Sequence, residues 1–109
     1  MNDKSRFLLD LVDIVVDCCA LQIDEIGTMS VTREKVLGKD RSKNRVMTRC
    51  ILANIIAFAG YTSETTALLL KRTPQAIEHL LDLSQTYHRT SRAYRLAEAE
   101  ALLKVKEMI

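Results

Sequence analysis

The densest single chemistry in this chain is basic. Between Thr32 and Arg49, seven Lys and Arg residues stand against Glu34 and Asp40, a local net charge of +5 in a chain whose whole net charge is +2. Lys39, Arg41, Lys43, Arg45 and Arg49 follow one another at intervals of two or four residues. Such a block neutralises successive phosphates of a nucleic acid, or it coats a solvated loop. A second group follows downstream: Lys71, Arg72 and Thr73, then Gln75 and His79. Cations beside a helix start hold a phosphate backbone, and a glutamine in the first helical turn suits the edge of an adenine. Glu78 would accept from a cytosine amine, although Glu78 and Asp82 both oppose a phosphate field.

Catalysis has little to stand on. His79 and His88 are the only histidines, and Glu78-His79 with Asp82 lacks the spacing of a zinc protease. No Ser or Cys has a base at a recognisable offset, no glycine-rich phosphate loop occurs, and Tyr61, Tyr87 and Tyr94 are too scattered for a base-stacking platform. We expect no enzyme activity, cofactor, metal or small-molecule substrate. Cys18, Cys19 and Cys50 are an odd set with one adjacent pair, which suits reduced core residues of a cytoplasmic protein. The longest apolar run, Cys50 to Gly60, is too short for a membrane span and contains Asn54. Asp10, Asp13 and Asp17 break the N-terminal apolar run, so it does not read as a secretory signal.

The elements that must position these groups are helices. The 109 residues are 48% hydrophobic and 28% charged, with 3 Gly and 1 Pro. That balance suits one globular domain over residues 1–109, and so little turn chemistry all but excludes a sandwich or barrel. The fold class expected is all-α, with five or six helices. The first covers residues 5–22, with an acidic stripe of Asp10, Asp13 and Asp17 that reads as a solvated face. A short helix over Arg33 to Leu37 starts at Thr32 and ends at Gly38, and a basic connector follows. Residues 45–59 are apolar almost all round and should be buried on most sides, with Arg45 and Arg49 on one charged edge. Thr62 or Ser63 caps a helix from Glu64 to Leu70. Thr73-Pro74 opens the next, with Ile77, Leu80, Leu81 and Ser84 inward. The last helix, about Ser91 to Lys106, carries the stripe Leu96, Ala99, Leu102 and Leu103, suited to docking on the domain or on a second copy.

Thr66 to Leu81 carries the most specific spacing. Ala67 is small where a second helix would cross, Leu70 precedes the turn, and Ile77 and Leu80 anchor the second helix. This is the pattern of a helix-turn-helix. Lys71 stands where glycine is usual and must adopt a left-handed conformation.

Val31 to Arg41, then Arg49-Cys50-Ile51-Leu52, then the Ala67–Ile77 unit resemble the C-terminal DNA-binding domain of the bacterial replication initiator DnaA. The likeness covers roughly residues 31–81, with the acidic N-terminal helix (1–30) and the last helix (88–109) outside the motif. It implies a Trp-repressor-like helical core over residues 31–87, with Arg41, Arg49 and Arg72 at positions where the family meets DNA. Lys71, Thr73, Pro74, Gln75 and Ala76 replace Gly, Asp, His, Thr and Thr of the family signature, so initiator-box specificity does not carry over. The partner expected is double-stranded DNA. The function expected is that of a small bacterial regulator of transcription or replication without ATPase activity, with a homodimer as the candidate assembly. The alternative is a helical protein-interaction module that keeps the fold and has lost sequence-specific reading.

Overall fold

The computed structural model describes residues 3–22, Leu37 and 43–108, and these form five helices with no strand among them. They are α1 (Asp3–Gln22), α2 (Lys43–Phe58), α3 (Ser63–Leu70), α4 (Pro74–Thr90) and α5 (Arg92–Met108). The all-α expectation holds. Of the short helix expected over Arg33 to Leu37, only Leu37 is described; it is helical and packs on the core. The remainder, with Lys39 and Arg41, lies outside the described residues.

α2 is the central post. Met47, Cys50, Ile51, Leu52, Ala53, Ile55 and Ile56 are all buried, because α1, α4 and α5 surround the helix and α3 closes one end. It begins at Lys43, so Lys43 belongs to the helix rather than to the connector. No Gly or Pro interrupts residues 39–59, and Lys and Arg are good helix formers. Phe58, expected on the apolar face, is half exposed.

α1 lays Leu8, Leu11, Val12, Val15, Val16, Cys18 and Cys19 against α2 and α5, and leaves Asp10 and Asp17 in solvent. All three cysteines are free and buried. Burial pushes the Cys19 and Cys50 thiols up to about 12, so they pack as small apolar groups.

The joint between α3 and α4 follows the sequence closely. Thr62 caps α3, its hydroxyl accepting from the Thr65 amide at 3.3 Å. At the far end Lys71 adopts φ 57°, ψ 47°. Its amide donates to the Leu68 carbonyl and that of Arg72 to the Ala67 carbonyl, a helix stop usually built on glycine. Thr73 then caps α4 by accepting from the Ala76 amide at 3.1 Å, with Pro74 in the first turn. Ala67, Leu70, Ile77 and Leu80 are buried where the two helices meet, and Leu81 is only partly buried.

α5 docks on the domain through Tyr94, Ala97, Ala101 and Val105. Of the expected stripe, Leu102 packs partly on this core, while Leu96, Ala99 and Leu103 face solvent. Ala97 and Ala101, both fully buried, are the small residues of this docked face, and small side chains let helices approach closely. A polar latch completes the dock. Asn54 of α2 donates to the Tyr94 hydroxyl (3.4 Å) and to Glu98 (3.3 Å), and His88 Nδ1 lies 3.4 Å from the same carboxylate. Burial beside Glu98 raises the Tyr94 pKa above the ordinary tyrosine range, so the phenol keeps its proton. Among the described residues no helix is long and apolar enough to cross a membrane.

Candidate nucleic-acid interface

α2 and α4 enclose a groove of about 340 Å³. Val46 and Arg49 of α2 form one wall, and Ala76, His79, Leu80 and Leu83 of α4 form the other. Arg72, from the turn between α3 and α4, closes one end. The turn conformation set by Lys71 aims this side chain: Arg72 Nη1 donates to the Leu70 carbonyl at 2.6 Å, folding the guanidinium back beside the groove.

Arg45 and Arg49 are not the exposed charged edge that their spacing suggested. They are only 7% and 2% exposed; α4 packs along α2, and Arg49 lies beside its residues. Burial, then the positive charges of Arg72 and Arg45, draw the Arg49 pKa down to about 10. Arg72 of the turn and Arg45 one helical turn away thus both act on Arg49, which lines the groove.

The expected site residues fall in four places. Arg49, Arg72 and His79 line the groove, and Arg45 acts electrostatically on Arg49. Lys71, Thr73 and Gln75 are exposed on the adjoining turn and first turn of α4, where the Thr73 hydroxyl serves as the helix cap. Lys43 lies in the first turn of α2. Lys39 and Arg41, as stated, are not described. Glu78 is not turned out to read a base: its carboxylate accepts from the Ser63 hydroxyl at 2.8 Å and ties α4 to the start of α3. Val46, Leu80 and Leu83 of the groove were not expected as site residues. Val46 and Arg49 stand three residues apart on α2, and Ala76, Leu80 and Leu83 recur at helical spacing, so the pattern was present. What it lacked was the knowledge that the two faces meet.

The acidic helix stays clear of this side. α1 packs on α2 and α5 and not on α3 or α4, and Asp17 exerts its charge on Lys104 of α5. Comparison of the chain with protein-family models, with curated proteins and with solved structures finds no match.

Proposed function

We propose that this chain binds double-stranded DNA, with α3 and α4 acting as a helix-turn-helix and the α2–α4 groove receiving a backbone phosphate. The observation that carries the reading is Arg49: a buried arginine at the base of a groove, crowded by Arg45 and Arg72. An anion entering the groove would meet the positive charge of Arg49 and Arg72, and attraction of opposite charges would favour it there. Lys71 flanks the entrance, and Gln75 projects from the first turn of α4, where a recognition helix meets base edges. The resemblance to the DnaA C-terminal domain supports the same face. It also supports a role as a bacterial, cytoplasmic regulator of transcription or replication with no ATPase activity of its own. The lost signature residues favour a preference different from that of the initiator.

The test is fluorescence anisotropy of a random-sequence duplex at 50 and 200 mM salt. If about five phosphates are neutralised, affinity falls with a log–log slope near −4.5, roughly 500-fold over that range. Arg72→Ala should weaken binding while thermal unfolding stays close to wild type. A folded protein with no affinity at 50 mM salt would overturn the reading.

A second reading keeps the fold as a protein-interaction module. The observation favouring it is exposed apolar surface: Leu68 is 81% exposed and Leu103 62%. Failure of duplex binding with the fold intact would favour it.

A further inference from the structure

The outer face of α5 has the pattern of a helix seam. Leu96, Ala99 and Leu103 are exposed at spacings of three and four residues, on the side opposite the docked Tyr94, Ala97, Ala101 and Val105. A stripe with that spacing is what one helix presents to another in a two-stranded coil. Phe58, half exposed, extends the apolar surface near the end of the helix. Lys106 lies over its ring at 5.9 Å.

The two borders of the stripe differ in charge, and that difference selects the occupant. Arg95 lies on one border, Glu100 and Glu107 on the other. In a parallel pair of helices, a residue on the first border meets the residue five positions later on the second border of its neighbour. Arg95 of one copy then faces Glu100 of the other, and symmetry makes this contact twice. In an antiparallel pair each border meets its own counterpart, so Glu100 faces Glu100 and the charges oppose. We infer that this face pairs with a second copy of the chain, the α5 helices running parallel, with Leu96, Ala99 and Leu103 meeting their equivalents and Arg95 bridging to Glu100.

The charged groups are placed for this. Arg95 Nη1 is spent on the His88 and Arg89 carbonyls, at 2.8 and 3.4 Å, which fixes the guanidinium and leaves the rest of its fork of five donors. Glu100 pairs with Lys104 of the next turn at 3.3 Å, a partly exposed ion pair of the kind that contributes little by itself. Arg92 and Lys106 occupy seam positions at the two ends, where like charges meet in a parallel pair. They confine the contact to the stretch between Leu96 and Leu103, so the seam is short and association is weak. The inference does not depend on DNA binding.

Sedimentation equilibrium of the full chain over about 10–500 μM tests it. The mass should rise with concentration from 12.4 kDa toward twice that value. Arg95→Glu and Glu100→Arg should each weaken pairing about five-fold or more, and the double variant should return it to within about two-fold of wild type. Direction is read by oxidation of Leu103→Cys, which cross-links to itself in a parallel pair. The native cysteines are buried and do not compete. A monomer across the whole range overturns the inference. So does a cross-link formed only when Leu96→Cys and Leu103→Cys are mixed, or a double charge reversal that fails to restore pairing. Circular dichroism of each variant separates loss of pairing from loss of fold.

Discussion

Lys71 and Arg49 are single residues held in conditions that a stability argument alone would avoid. Lys71 occupies the left-handed region at φ 57°, where a side chain costs about 1–2 kcal/mol relative to glycine. Lys71→Gly relieves that strain but frees the unfolded chain, so a net gain of about 1 kcal/mol is expected. Urea denaturation measures it, and a loss of stability would mean that the lysine stem holds the turn. The same variant removes a cation beside the groove, so duplex affinity should fall as stability rises. Arg49 poses the matching question inside the protein. Its pKa is drawn from 12.5 to about 10, so the unfolded chain holds the proton more tightly than the folded one. The charge therefore costs stability at every pH below about 10, and the cost is lifted only as pH rises from about 10 to 12.5. Arg49→Met keeps most of the volume and removes the charge. It should match or exceed wild type in urea, yet lose about one unit of the salt slope in duplex binding. Destabilisation of several kcal/mol would instead make Arg49 a structural group.

At the scale of elements, α5 shows where packing overrules pattern. Ala97 and Ala101 are fully buried, and the helix reaches its place because they are small. Ala97→Leu or Ala101→Leu should cost about 1–3 kcal/mol by overpacking, whereas Leu103→Ala at low protein concentration should stay within about 0.5 kcal/mol of wild type. Thermal melts of the three variants separate the docked face from the open one, and equal effects would contradict this orientation. The sequence could not reveal that choice. α5 has apolar residues on both sides, and hydrophobicity alone ranks Leu96 and Leu103 above Ala97 and Ala101, so the leucines read as the inward stripe. The joint between α3 and α4 was legible, because Thr62, Thr73 and Pro74 mark helix ends by local hydrogen bonding and ring geometry. The left-handed Lys71 was legible too, since a turn at that spacing demands it. Burial of Arg45 and Arg49 was not, for it depends on which helix covers α2, a contact between segments distant along the chain. The tie between Glu78 and Ser63 was hidden for the same reason.

For the molecule as a whole, the uneven charge along the chain becomes a difference between sides. Asp10 and Asp17 stand on α1, which packs on α2 and α5, while Arg49, Arg72 and Lys71 gather around the groove at α4. A net charge of +2 spread evenly would steer a polyanion weakly; keeping the α1 acids off the groove leaves Glu78 and Asp82 of α4 as the acids that oppose its cations. Two kinds of substitution should then behave differently. If Arg72 meets a phosphate as proposed, Arg72→Ala should weaken binding to all sequences alike and make the log–log salt slope about one unit less negative. Gln75→Ala removes no charge. It should leave the slope unchanged and lower affinity only for duplexes selected for tight binding, by about 1–3 kcal/mol if the amide reads a base. Anisotropy titrations of both variants, on random and on selected duplexes at several salt concentrations, measure all four quantities. If Arg72→Ala leaves the slope unchanged, the phosphate contacts lie elsewhere on the molecule and the groove is not the DNA site. If Gln75→Ala instead shifts the random and selected duplexes equally, α4 lies against the backbone without reading bases, and any sequence preference comes from DNA shape.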